Sequence, residues 1–136
     1  MSEYEAHRTM PALPEQVFDE ASDLRTMERW LPRELHLEAQ RPPAVTVSHG
    51  ERGEQETALL HAHYDRLRLE WGTRDSGRYS GWLQVTGLES GASEVSVHLT
   101  FSDPECAPPS RDVEMALRQS LDRLAEQVKL RAGYPA

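Results

Sequence analysis

The sequence predicts an α+β domain in which one antiparallel sheet is covered by a long C-terminal helix. Apolar residues recur at steps of three and four along residues 111–131, which is the spacing of one face of an α-helix. Between residues 34 and 101 the period changes to two, as in strands with one dry and one wet face. The helical stripe needs a cover, and the strands offer the large apolar surface that supplies it.

Composition limits the classes of function. A chain of 136 residues is expected to form a single domain, residues 1–136. The net charge of −8 argues against nucleic acid and anionic lipid surfaces as partners. No apolar run is long enough to span a membrane, and the N-terminus lacks signal-peptide features. Together with the single cysteine, Cys106, these features predict a cytoplasmic protein with no cofactor.

The N-terminal elements follow from local signals. Tyr4 to Met10 reads as a strand, and Pro14 stands where a short helix begins, because the first turn of a helix has no partner for its N–H groups. A second short helix is predicted to start at Ser22 or Asp23 and to stop at Pro32. Its apolar face would be Leu24, Met27 and Leu31.

Six more strands are predicted between this helical region and the last helix. Short polar turns join them, so they are expected to pair as an antiparallel meander. Residues 94–101 show the clearest alternation. The predicted ranges are 34–37, 44–48, 56–64, 67–71, 78–88 and 94–101.

The last helix carries a narrow apolar stripe. Small residues, Ala116 and Ser120, flank it and would leave room beside the larger side chains. The stripe consists of Val113, Leu117, Leu121, Leu124 and Val128. The side predicted to face water consists of Gln119, Asp122, Arg123, Glu126 and Lys129.

Several local segments fit a known superfamily. They are Pro14-Glu15-Gln16-Val17-Phe18, Asp23-Leu24, Trp30-Leu31-Pro32, Arg68-Leu69-Glu70-Trp71, and the Gly91 hairpin before Val95-Ser96-Val97. With these segments and this element order the chain resembles the SRPBCC superfamily, also called START-like or Bet v 1-like. Within it, the chain looks closest to the bacterial polyketide cyclase/dehydrase-like group. The resemblance implies the helix-grip fold: a seven-stranded curved antiparallel sheet around the C-terminal helix, with two short helices between strands 1 and 2.

The resemblance also implies a cavity between sheet and helix, since members bind lipids, sterols, polyketides, quinones or plant hormones there. The expected partner is therefore a small hydrophobic molecule, with the hydroxyl groups of Tyr79 and Ser120 as polar anchors. A solidly packed core is the alternative. The residues predicted to line the cavity are Trp30, Leu69, Trp71, Tyr79, Leu83, Val97, Ala116, Leu117, Ser120, Leu121 and Leu124.

Two other functions stay open at this point. A polyketide aromatase/cyclase-like enzyme would need a polar pair inside the cavity, and the sequence shows no catalytic constellation. A protein-interaction module, or a homodimer, would use the outer face of the sheet, where Trp82 lies unless a bulge near Gly81 turns it inward. His61 and His63 form a pair on a strand but are predicted to face outward with no third metal ligand.

Overall fold

The computed structural model describes residues 2–23, 26–30, 36–39, 44–49, 54–73, 79–101 and 110–131. The strands pair into one curved antiparallel sheet in the order β1-β7-β6-β5-β4-β3-β2. Side chains are described for five of them, β1 and β4 to β7. The strands are β1 (Ser2–Met10), β2 (His36–Ala39), β3 (Ala44–His49), β4 (Glu54–His63), β5 (Arg68–Thr73), β6 (Tyr79–Gly87) and β7 (Ser93–Phe101).

The order of the strands and the alternating burial of their side chains agree with the predicted antiparallel meander. Strands β2 to β7 follow one another as a meander, and β1 closes the series by pairing with β7. On β7, buried residues alternate with half-buried ones from Ser93 to Leu99. The sheet therefore has one concave, apolar face and one convex, polar face, as expected when only one side is covered.

The short helix α1 (Pro14–Ala21) begins with the predicted proline at its first position. The Leu13 N–H donates to the Gln16 side chain at 3.3 Å, which satisfies one of the free N–H groups at the helix start. Val17 and Phe18 are fully buried against the sheet. The Ser93 hydroxyl donates to the Ala12 carbonyl at 2.7 Å, and this buried bond fixes the chain between β1 and α1 on the start of β7.

The second short helix of the sequence prediction is wrong in extent. Between α1 and β2 the described residues form a 3-10 turn, Met27–Arg29, in place of an α-helix. Ser22 does not cap it, because the Ser22 hydroxyl donates back to the Phe18 carbonyl of α1 at 2.7 Å. The main-chain N–H groups of Arg29 and Trp30 donate to the carbonyls three residues back, of Thr26 and Met27, which is the 3-10 pattern and not the α-helical one. Leu24 and Leu31 lie outside the described residues.

The long helix α2 (Ser110–Arg131) covers the concave face. All five residues of its predicted stripe are buried, and they join the core side chains of the sheet, α1 and the 3-10 turn. Arg8 of β1 pairs with Asp122 at 3.6 Å, and Arg131 pairs with Glu20 of α1 at 3.1 Å. α2 therefore passes beside the end of β1 and finishes next to α1. In the described part of the chain, no helix has the length and apolar character that a membrane crossing requires.

Candidate functional site

Two parallel rows of side chains cross the concave face. We call the first the Leu83 row, because Leu83 stands at its centre. We call the second the Gly81 row, after the glycine at its centre. The Leu83 row consists of Ala62, Leu69, Leu83, Val97 and Ala6. The Gly81 row consists of Leu60, Trp71, Gly81, Leu99 and Tyr4.

Burial falls along the strands from the α1 end toward the Gly81 row. On β7 the exposed fraction rises from 0% at Val95 to 5% at Val97 and 9% at Leu99. Phe101, at the end of the strand, is only half-buried. In the Gly81 row, Leu60, Trp71 and Tyr4 are likewise half-buried although they pack against the core. The concave face is therefore closed near α1 and partly open at the opposite end.

The open end is lined by aromatic rings. Tyr4 and Phe101 meet edge to face with ring centroids 5.9 Å apart, a geometry that stabilises aromatic pairs. The Trp71 indole lies directly over Gly81, where an added Cβ would come within 2.7 Å of the ring. Because glycine has no side chain, it leaves the space that the Trp71 indole occupies. The result is an apolar, aromatic surface that α2 does not fully cover.

Three residues, Arg123, Trp30 and Ser120, form a small polar cluster at the edge of the apolar core, beside the 3-10 turn. One Arg123 nitrogen, Nη2, lies 3.4 Å from the Trp30 carbonyl oxygen and 3.5 Å from the Ser120 hydroxyl oxygen. Ser120 is 3% exposed and Trp30 is 5% exposed. The indole N–H of Trp30 has no hydrogen-bond acceptor among the described residues. Buried donors are nearly always satisfied, so this atom marks a place where an acceptor fits.

The sequence prediction missed Arg123, which it placed on the water-facing side of α2. The side chain is instead half-buried and bridges α2 to the 3-10 turn. The signal available was its spacing: residues three apart on a helix are neighbours, so Arg123 lies next to Ser120. Tyr4, Leu60 and Phe101 were also absent from the predicted lining. Their inward positions follow from the register of the sheet.

Most residues predicted to line a cavity come together in the core. Ala116 is half-buried beside the stripe, and Trp71 packs on the edge of the core. Only the backbone of Tyr79 is described, so the predicted role of its hydroxyl lies outside the described residues. The buried members are Trp30, Leu69, Leu83, Val97, Leu117, Ser120, Leu121 and Leu124.

Acid–base and metal chemistry find little support in the described residues. The buried polar side chains there are Glu20, Ser93 and Ser120. Ser93 and Glu20 are engaged in structural hydrogen bonds. No group of three or more potential metal ligands is found within the described ranges. His61 is exposed, and His63 contacts Glu70 at 2.7 Å across the convex face.

Trp82 lies on the convex face, which resolves the alternatives left by the sequence. It pairs with Glu70 and His98 in regular register, so no bulge turns it inward. The His98 ring stacks on it with centroids 5.3 Å apart, and the Arg68 guanidinium lies 4.6 Å from its ring centroid. These contacts cover the indole from both neighbouring strands. Trp82 therefore does not form an open apolar patch.

A separate polar cleft of about 320 Å³ lies at the α1 end of the molecule. Its floor is the Glu20 carboxylate, which accepts hydrogen bonds from Arg131 at 3.1 Å and Thr26 at 3.4 Å. Asp23 lies 3.9 Å from the same Arg131 guanidinium. The Glu20 carboxylate is thus already paired. These contacts, which we call the clamp, join α1, the residue before the 3-10 turn and the end of α2.

The curved sheet wrapped on a C-terminal helix defines a START-like protein of the SRPBCC superfamily, as the sequence resemblance predicts. More narrowly, the chain belongs to the polyketide cyclase / dehydrase and lipid transport family, whose model matches residues 1–129. Among curated proteins, none matches the sequence.

Solved structures share this fold at low sequence identity. The protein TTHA0849 from Thermus thermophilus is 21% identical with a TM-score of 0.72, covering 97% of this chain and 99% of that one. A START superfamily protein from Mycobacterium smegmatis is 15% identical with a TM-score of 0.62, covering 95% of each chain. The di-domain ARO/CYC BexL from the BE-7585A biosynthetic pathway is 17% identical with a TM-score of 0.75, covering 98% of this chain and 48% of that one. These identities establish likeness of fold alone.

Proposed function

We propose that this protein binds a small, largely apolar molecule between the concave face of the sheet and α2. The observation that carries the proposal is the partly open Gly81 row. In this row Leu60, Trp71 and Tyr4 are only half-buried and Leu99 is 9% exposed. The central side chains of the neighbouring Leu83 row are at most 5% exposed. Water-exposed apolar surface in a concave region is favourable to cover. An apolar ligand would gain binding free energy by removing this surface from water.

Lipid-, polyketide- and quinone-like molecules all fit this description. The description of the family names both polyketide chemistry and lipid transport, which supports a ligand of this general class. We infer that the residues predicted from the sequence to line the cavity form its wall near α2. Tyr4, Leu60 and Phe101 would form the wall at the open end, where their inward side chains are half-buried.

Binding is a better-supported role than catalysis. The likeness to BexL, an ARO/CYC protein, supports an aromatase/cyclase-like enzyme as the second candidate. Such an enzyme moves protons through positioned acid–base groups. On the concave face, the buried polar side chains in the described residues are Ser93 and Ser120, and Ser93 already donates to Ala12. Ser120, beside Arg123, is the residue on which the enzymatic proposal would rest.

An interaction module on the convex face has less support. The contacts that cover Trp82 with His98 and Arg68 leave that face polar and charged. Dimer interfaces are usually more apolar at their centre. A homodimer through Trp82 is therefore less well supported than ligand binding. A cytoplasmic location and a single domain over residues 1–136 remain parts of the proposal.

The binding proposal is tested with a matched pair of variants on β4. Leu60 and His61 are neighbours whose side chains lie on opposite faces of the sheet. Leu60→Trp should fill the open end and weaken binding of the fluorescent probe 1-anilinonaphthalene-8-sulfonate by about tenfold. His61→Trp should leave the affinity unchanged. Fluorescence titration gives the affinities, and thermal melts confirm that both variants are folded.

Native mass spectrometry of the purified protein provides the second measurement. A co-purified small molecule, extracted and identified, would name the natural ligand directly. If the probe binds both variants with the wild-type affinity, the site does not lie at the Gly81 row. If the wild-type protein binds neither the probe nor a co-purified molecule, the proposed function is wrong.

A further inference from the structure

The indole N–H of Trp30 is a buried donor for which the described residues offer no acceptor. Trp30 is 5% exposed, and its Nε1 atom has no acceptor among the described residues. Transferring such a donor from water into a core without a partner is unfavourable. An apolar residue of similar shape would avoid this cost. The retained N–H is therefore a candidate contact for a bound molecule.

The surroundings of Trp30 define the kind of molecule. Trp30 ends the 3-10 turn, and its N–H and carbonyl groups of the main chain are both satisfied, by Met27 and by Arg123. The side chain joins the same core cluster as Leu117, Leu121 and Leu124 of α2. The indole thus joins an apolar cluster beside one polar contact, that of Arg123 with Ser120. Small-molecule sites commonly have this composition, in which one polar group fixes the orientation of an apolar ligand.

We propose that the Trp30 indole N–H anchors one oxygen acceptor of the ligand, and that the ligand is an apolar molecule bearing a neutral carbonyl. This inference rests on the proposed function and narrows its ligand class. A neutral carbonyl suits this donor, because removing an ionised carboxylate from water costs far more free energy than removing a ketone.

The test uses two probes that differ only in the acceptor. The first is 1-acetylnaphthalene, which carries a ketone, and the second is 1-ethylnaphthalene, which carries none. The chain has three tryptophans, so a proton–nitrogen correlation spectrum of the wild-type protein should show three indole signals. Trp71→Phe and Trp82→Phe identify two of them, and the third belongs to Trp30 without any change at Trp30 itself.

The expected result has two parts. The ketone should move the Trp30 indole proton downfield, as a new hydrogen bond does, and the ethyl probe should not. The ketone should also bind about five- to tenfold more tightly than the ethyl probe, the range expected for one hydrogen bond. Trp30→Phe should abolish this preference, whereas Trp82→Phe, the same substitution on the convex face, should preserve it.

The outcomes separate the anchor from the binding proposal. If both probes bind equally well and the Trp30 signal does not respond to the ketone, the anchor is wrong and the proposed function stands. The same conclusion follows if the Trp30 proton is already hydrogen-bonded in the free protein and the ketone leaves it unchanged. If neither probe binds, both the anchor and the proposed ligand class are wrong.

Discussion

The two rows that cross the concave face have similar composition but differ in how completely they are buried. In the Leu83 row the central side chains, Leu69, Leu83 and Val97, are at most 5% exposed. In the Gly81 row the central residue has no side chain, Leu99 on one side of it is 9% exposed, and Trp71 on the other side is half-buried. Both rows lie on the same strands, one pleat apart. The comparison shows that apolar character alone does not decide which part of a sheet becomes core and which remains available to a ligand.

The largest expected effect is a difference between the two rows in how much free energy of unfolding is lost when a leucine is replaced by alanine. Leu69→Ala should lower the free energy of unfolding by about 2–5 kcal/mol, because it leaves a cavity in closely packed surroundings. Leu60→Ala removes the same atoms from a half-buried position and should cost less than half as much. Urea denaturation of both variants measures the difference. Equal losses would show that the Gly81 row is packed as tightly as the Leu83 row.

A second change tests the recess in the Gly81 row. Gly81→Ala would place a Cβ 2.7 Å from the Trp71 ring and 2.8 Å from the His98 carbonyl oxygen. We expect a loss of about 1–3 kcal/mol, since a well-fitted contact must move. The control is Ser80→Ala, at an exposed position on the opposite face, which should change stability by no more than about 0.5 kcal/mol. A neutral Gly81→Ala would mean that Trp71 does not rest on the glycine.

The smallest expected effect concerns the clamp that holds the end of α2 on the closed side. Glu20→Gln removes the charge that pairs with Arg131 but keeps a hydrogen-bond acceptor, so we expect a loss of about 1–2 kcal/mol. Glu126→Gln removes an exposed charge that pairs with Lys129 and should cost at most about 0.5 kcal/mol. Thermal melts compare the two variants. Probe binding at the Gly81 row should survive both changes.

The alternation of polar and apolar residues predicted which side chains face the core, because the side-chain period of a strand is two in any tertiary fold. This correctly placed Leu60, Leu69 and Leu83 on one face and His61 on the other. For Trp82 the alternation left two possibilities, outward in regular register or inward through a bulge, and the structure shows the regular register. The short second helix failed because spacing alone does not distinguish a helix from a single turn between two constrained ends.

The candidate site was less predictable than the fold. The leucines of α2 were found from their period, whereas Arg123 was assigned to water because charged residues usually are. Its contact with the Trp30 carbonyl joins segments 93 residues apart in the chain, and no local pattern reports it. The Trp30 N–H, which has no acceptor among the described residues, likewise becomes visible only in the folded structure.

The sequence by itself determined the order of the strands, the dry face of β5, β6 and β7, and the stripe by which α2 meets them, because all three depend on local periodicity and turn residues. Only the tertiary structure decided that β1 pairs with β7, how far α2 reaches along the concave face, and which row it leaves partly open. These depend on the position of one element relative to another. The ion pairs of Arg8 with Asp122 and of Glu20 with Arg131 lie at the closed end of that contact.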